Sequence, residues 1–268
     1  MRTALLVVAA LLLGLLVAAP SASVERRTSV TLKPVPASSQ AGRKVTLRGV
    51  SSEGRAKVRL QRRHGTGRWS TVATVRPDRR GRFSTRVTLT RGGPTSFRAV
   101  RGRSRSKVRT VAVYAWLDLV DQPLAVLDGP AYTDRLSVVG RRSLPRSIEG
   151  DPNTWLGVRT AGLCTTFETW TGFLDSQRAK RRAGDRQETY LARHAASGAL
   201  LGEFPVVTPL GPAKRAAASI IGTQLFTVRT GLDVLTNDDR PRSVLGSPRL
   251  LCNAAVLPAV TPGTLQPG

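Results

Sequence analysis

Acidic side chains are scarce in this 268-residue sequence: 17 Asp and Glu face 42 Lys and Arg, a formal net charge of +25. Histidine and cysteine number two each, and methionine one. His64 and His194 stand far from both cysteines and form no zinc-ligand spacing. There is no G-x-S-x-G elbow, no H-E-x-x-H and no phosphate-cradling glycine loop, which removes the common hydrolase, metalloprotease and nucleotide-binding classes. Glycosidase chemistry needs two carboxylates about 5–10 Å apart across a cleft. Asp175, Glu188, Asp238 and Asp239 are available, but at spacings that read as loops and strand faces. The sequence therefore reads as non-enzymatic, without cofactor and without an assigned metal site. Paired Asp238 and Asp239 read as solvating a turn, with a loop-bound calcium ion as the lesser alternative.

Long apolar runs are limited to one. It extends from Ala4 to Ala19 behind Arg2, and small residues Pro20-Ser21-Ala22-Ser23 close it. Sixteen residues fall short of the roughly 20 a membrane-spanning helix needs. The order of parts matches a secretory signal with small residues at the cleavage site, which sets the signal at residues 1–23 and the mature start at Val24. No cysteine follows the run to carry a lipid anchor, so the expected product is secreted, extracellular or held at the cell envelope by what it binds. In an oxidising compartment the isolated pair Cys164 and Cys252 reads as one disulfide, the alternative being two buried thiols.

What is abundant is arginine, and it is unevenly placed. From Val24 to Val113 there are 24 basic residues against Glu25, Glu53 and Asp78, a net of +21. From Tyr114 onward the net is only +3. The 36 Arg to 6 Lys ratio looks like the codon bias of a GC-rich genome. That bias accounts for Arg replacing Lys, but leaves the local excess of charge unexplained. The asymmetry points to a domain boundary near Val113 and to an anionic partner for the first domain.

Period-two alternation dominates residues 24–113. Val45 and Leu47 alternate with polar neighbours, as do Ala56, Val58 and Leu60, and Phe83, Thr85, Val87 and Leu89. Turn signals such as His64-Gly65-Thr66-Gly67 and Pro77 to Gly81 separate seven expected strands in about 85 residues, the count of an antiparallel sandwich. Outward positions Lys57, Arg59, Arg86, Lys107 and Arg109 are expected to form a wet cationic surface. Trp69 is expected at the core or a strand edge, and His64 at a solvated hairpin tip.

Leu60-Gln61-Arg62, Gly67-x-Trp69, Gly81-x-Phe83 and Phe97-Arg98-Ala99 resemble the Ig-like repeats of secreted actinobacterial proteins over about Ser29 to Val113. That resemblance implies an Ig-like β-sandwich and says nothing of a ligand.

The second half again favours strands, expected at 136–139, 165–173, 188–194, 199–204, 219–228 and 247–252. Residues 176–186 carry no apolar stripe and read as a charged loop. Phe167, Thr169, Thr171 and Phe173 share one face and Glu168 and Trp170 the other, with Gly172 marking a bulge or a close backbone approach. A flat ring beside a carboxylate suits a sugar, so Trp170 and Glu168 are the candidate ligand pair, against the alternative that Trp170 is core.

From Tyr114 to Leu257 the chain resembles the novel putative carbohydrate-binding module (NPCBM) family found beside family 98 glycoside hydrolases. Trp116-Leu117-Asp118, Leu163 to Glu168, Gly172-Phe173-Leu174-Asp175, Gly222-x-x-Leu225-Phe226-x-Val228 and Ser247 to Cys252 carry it. It implies a galactose-binding-like jelly-roll β-sandwich that binds glycans without cleaving them, and it favours the disulfide. Thr236 to Gly246 lacks the tryptophan usual in that family, and Ser219-Ile220-Ile221 lacks the usual Asp. The expected architecture is all-β: an Ig-like sandwich at 24–113, a jelly-roll sandwich at 114–257 and a tail at 258–268. The expected role is noncatalytic attachment to an extracellular carbohydrate or anionic cell-envelope polymer. Alternatives are polyanion binding by the basic domain alone, and a spacer without a specific ligand.

Overall fold

The computed structural model describes residues 28–52, 55–180, 186–232 and 241–260. The apolar run, the Asp238-Asp239 pair and the tail beyond 260 lie outside them. The described chain is all-β, with 3-10 turns at Leu119–Asp121 and Asp175–Lys180 and no α-helix.

The first half contributes β1 (Val30–Leu32), β2 (Ser38–Gln40), β3 (Lys44–Ser51), β4 (Val58–His64), β5 (Ser70–Val75), β6 (Arg82–Thr88), β7 (Gly93–Arg101), β8 (Ser104–Arg105) and β9 (Arg109–Asp118). Two of these, β2 and β8, exceed the expected seven. One sheet runs β1-β3-β6. The other runs β5-β4-β7-β9, with β2 parallel to β9 and β8 paired to the end of β7. Alternation does its expected work: Val45, Leu47, Val58, Leu60, Phe83, Val87, Phe97 and Val111 fill one core between the sheets. Gly49 is required there, because a Cβ at that position would stand 2.2 Å from the Phe83 ring and from the Thr31 carbonyl oxygen.

The second half contributes β10 (Leu124–Asp128), β11 (Ala131–Val139), β12 (Arg142–Gly150), β13 (Trp155–Arg159), β14 (Cys164–Phe173), β15 (Arg186–His194), β16 (Leu200–Pro209), β17 (Lys214–Ser219), β18 (Leu225–Leu232) and β19 (Ser243–Cys252). A five-stranded antiparallel sheet, β10-β13-β18-β15-β16, faces a second made of β11-β12-β19-β14-β17. Phe167 and Phe226, with ring centroids 4.9 Å apart, sit among Leu156, Leu191, Val228 and Leu250 between them. Gly172 meets a close approach, since a Cβ there would lie 2.3 Å from Val139 Cγ1. The single strand expected over 219–228 is two, broken by a turn at Gly222 (φ +76°). The charged stretch expected to be a loop opens with the 3-10 turn Asp175–Lys180; residues 181–185 lie outside the described residues.

Strand β9 joins the halves without a linker. Val113 and residues before it pair with β7, while Ala115 to Asp118 pair with β19. Gly92 packs against the Ala254 backbone at this junction, where a Cβ would come within 2.1 Å of its carbonyl oxygen. Cys164 and Cys252 are cross-strand partners in the β14–β19 pair and form a disulfide within the second core.

Candidate functional site

Trp170 and Glu168 project from the outer face of β14, as strand parity requires. Neither is open. Glu168 Oε1 accepts from Arg215 Nη2 at 2.7 Å, and Oε2 accepts from Arg249 Nη2 at 2.9 Å. Burial pushes the Glu168 pKa up, but the two guanidinium donors outweigh it and hold the carboxyl below its ordinary value. Arg249 also lies over Trp116, 4.3 Å from its ring centroid. Trp170 is half-buried against Val139, Leu144 and Val244, and the Arg142 guanidinium covers its ring at 3.6 Å. The pair shares a face, yet both members already have partners within the chain.

The five cationic positions picked from the sequence do not converge. Arg59 points outward from β4 and Arg86 outward from β6, so they lie on opposite outer faces of the first sandwich. Alternation identifies a wet face but not which sheet the face belongs to. Lys57 and Lys107 are exposed in the connections before β4 and β9. Arg109 is half-buried, and its Nε donates to the Leu32 carbonyl at 3.2 Å. A different set does assemble on the outer face of β4 and β7. Trp69, just before edge strand β5, is stacked by Arg63 at 4.8 Å and by Arg98 at 4.2 Å. His64 is half-buried rather than free, its Nδ1 3.0 Å from Thr95 Oγ1.

A cleft of about 490 Å³ opens beside the β11–β12 hairpin. Leu136 (71% exposed), Val138 and Leu174 form its apolar side. Glu149, Gln177, Ser176 and Arg242 form its polar side. The polar groups are held. Glu149 Oε1 accepts from Ser137 Oγ at 2.9 Å, and Arg242 Nε donates to Asp151 Oδ1 at 3.0 Å. The Gln177 side-chain oxygen accepts the Arg242 backbone N–H at 2.6 Å, which turns its amide nitrogen away from that bond. The Arg242 guanidinium rests on the Tyr132 ring at 3.9 Å. Asp175 accepts backbone N–H groups from Gly140 and Arg141, which ties the 3-10 turn bearing Ser176 and Gln177 to the hairpin. These lining residues come from positions 135 to 242, and no local motif in the sequence marks them.

Among the described residues, no group of three or more His, Cys, Asp or Glu could hold a metal ion. The polar cleft offers hydrogen-bonding groups beside an apolar strip, whereas Trp69, Trp116 and Trp170 are each covered by guanidinium groups of the chain itself.

No protein-family model matches the chain, and no curated protein matches it in sequence. Solved structures of low similarity do overlap it. The second family-51 carbohydrate-binding module (CBM51-2) with INT domains, from Clostridium perfringens ZmpB, is 14% identical with a TM-score of 0.40, over 60% of this chain and 38% of that one. A CBM51 from C. perfringens GH95, in complex with methyl-galactose, is 14% identical with a TM-score of 0.38, over 50% of this chain and 99% of that one. The tandem CBM22 domains of Paenibacillus barcinonensis Xyn10C are 12% identical with a TM-score of 0.34, over 83% of this chain and 91% of that one. The solved structures that this all-β chain overlaps thus include carbohydrate-binding modules, and at this degree of likeness its own surface has to supply the chemistry.

Proposed function

We propose that this is an exported, noncatalytic carbohydrate-binding protein whose second, jelly-roll-like sandwich takes a sugar unit in the cleft beside β11 and β12. The observation that carries the reading is the pairing of surfaces in that cleft. Leu136 and Val138 offer an exposed apolar strip, as the C–H face of a pyranose requires. Opposite them, Glu149 supplies an acceptor, Gln177 an amide nitrogen and Arg242 donors, all anchored before a ligand arrives. A cleft of about 490 Å³ accommodates one or two sugar rings.

The partner on this reading is an extracellular carbohydrate or cell-envelope polymer, and the second half anchors while the basic first half adds charge. Titration calorimetry with a monosaccharide panel tests it, led by galactose and N-acetylglucosamine. Leu136→Ala removes only exposed apolar contact, so melting should stay near wild type. Binding should weaken about fivefold, the equivalent of roughly 1 kcal/mol. Unchanged affinity in Leu136→Ala, or no binding of any sugar by wild type, sinks the assignment.

A further inference from the structure

The arginine–tryptophan stack on the first sandwich is a second surface, independent of the cleft. Arg59, Gln61 and Arg63 point outward from β4, and Ser96 and Arg98 outward from β7, as the register Arg59↔Val100, Gln61↔Arg98, Arg63↔Ser96 requires. Trp69 lies against Arg63 and Arg98. Gln61 Oε1 accepts from Arg98 Nε at 2.8 Å, which fixes one edge of that guanidinium and leaves its other N–H groups directed away. Arg105, on β8, pairs with Val100 beside them.

Among the described residues none of these cations pairs with a carboxylate. Between Thr28 and Val113 the sequence holds only Glu53 and Asp78 as acids. Asp78 is bound to Arg82 and to the backbone of its own turn, and Glu53 lies outside the described residues. Among the described residues Arg63 Nε is buried without a hydrogen-bond partner. Burial, and then repulsion from Arg105 and Arg63, depresses the Arg98 pKa, so the cluster is held together against its own charge. An oxyanion relieves that repulsion and takes the bidentate fork that a stacked, immobilised guanidinium presents.

We propose that the outer face of β4 and β7 is a binding site for an acidic polysaccharide, with Arg63 and Arg98 as its oxyanion-binding residues and Trp69 as the residue that positions them. Nucleic acid is disfavoured because base stacking needs an open aromatic face, and guanidinium groups already occupy Trp69. A membrane surface is disfavoured because β4, β5 and β7 expose no large apolar side chain for insertion. An antiparallel face that carries Arg59 and Arg63 on β4, Arg98 on β7 and Arg105 on β8 suits a linear chain with an acidic group on each repeat.

The full chain should be titrated with polygalacturonate and dextran sulfate, with neutral dextran, oligothymidylate and phosphatidylglycerol vesicles as comparisons. At least one acidic polysaccharide should bind, more tightly than the other probes, and affinity should fall steeply from 0.05 to 0.5 M salt. Arg63→Ala/Arg98→Ala should weaken binding at least tenfold. Arg48→Ala/Arg86→Ala, which removes the same charge from the opposite face, should change it less than twofold. Arg63→Lys/Arg98→Lys keeps the charge and removes the fork, so it should also lose most of the affinity while melting as wild type. Equal losses from the two alanine pairs, tighter binding of oligothymidylate or vesicles, or no binding of either acidic polysaccharide would overturn the proposal. Sugar binding in the cleft is read with neutral monosaccharides, so either site can fail without the other.

Discussion

Cutting the bridge between Cys164 and Cys252 should destabilise the second sandwich far more than its two sulfur atoms suggest. The cysteines are 88 residues apart in sequence but adjacent across the β14–β19 pair, so the cross-link constrains most of the second half in the unfolded state. For a closed loop of that length the chain-entropy relation gives a loss of about 4.6 kcal/mol at 25 °C. The sulfurs also pack among Phe167, Phe226, Leu250 and Leu257, so Cys164→Ala/Cys252→Ala adds a small packing loss in the same direction. The assay is urea denaturation of the double variant in a Trp69→Phe background. Trp69 is the only tryptophan before β9, so the remaining Trp116, Trp155 and Trp170 report on the second half. The midpoint should fall by the equivalent of about 5 kcal/mol, and the denaturant slope should rise as the unfolded chain expands. A loss below about 1 kcal/mol would refute the entropic argument, since the closed loop alone accounts for several times that.

Gly49→Ala forces a methyl group into the Phe83 ring and the Thr31 carbonyl, and should cost about 2–3 kcal/mol in thermal or urea unfolding read from Trp69. Glu168→Gln should cost about 1 kcal/mol at pH 7, because two part-exposed arginines lose their shared carboxylate. The Glu168 pKa is depressed in the folded state, so its contribution is complete above the ordinary carboxylate range and fades as pH falls through the folded value. The gap between wild type and variant in melting experiments should therefore begin to narrow as pH falls below about 4, and a constant gap down to pH 3 contradicts the assignment. Trp170→Ala should lose about 2–3 kcal/mol, less than the 3–5 of a fully buried ring, by thermal unfolding. Unchanged melting with lost glycan binding would instead make Trp170 a platform.

Much of the β architecture is legible in the residues because one face of many strands is wet. Val45 and Leu47, or Phe83 and Val87, announce their parity by alternating with charge. Strands without that contrast escape. In β12, Pro145 argues against a strand and buried Ser147 and Glu149 break the apolar count, while their bonds to Leu144 and Ser137 satisfy them inside. In β13, Gly157 looks like a loop residue until Leu127 is seen packed where its side chain would be. Strand β2 has no apolar residue at all, and it is held by parallel pairing to β9. The cleft was illegible for a different reason: Leu136, Glu149, Gln177 and Arg242 meet only through tertiary packing. Arg63 and Trp69 are separated by one hairpin, but Arg98 reaches them from β7, so the stack also required the sheet order.

Arginine serves the two halves in opposite ways, and this gives the uneven charge a physical meaning. In the second half several guanidinium groups are consumed internally. Arg146 reaches Asp118, Asp121 and Asp134, Arg242 reaches Glu149 and Asp151, and Arg215 and Arg249 share Glu168. Their planar heads also cover Tyr132, Trp116 and Trp170, which lysine ammonium groups would do less well. In the first half the same side chain finds aromatic and amide support but almost no carboxylate, as Arg98 does between Trp69 and Gln61. Support without neutralisation leaves an ordered positive face, and the self-repulsion it costs is tolerated beside a core of Leu47, Leu60 and Phe97. A codon bias toward arginine supplies residues to both halves alike, whereas the placement of acids decides which half can neutralise them. An anionic ligand therefore acts on the first sandwich as the carboxylates act within the second, and ligand-induced stabilisation should appear in the Trp69-containing half alone.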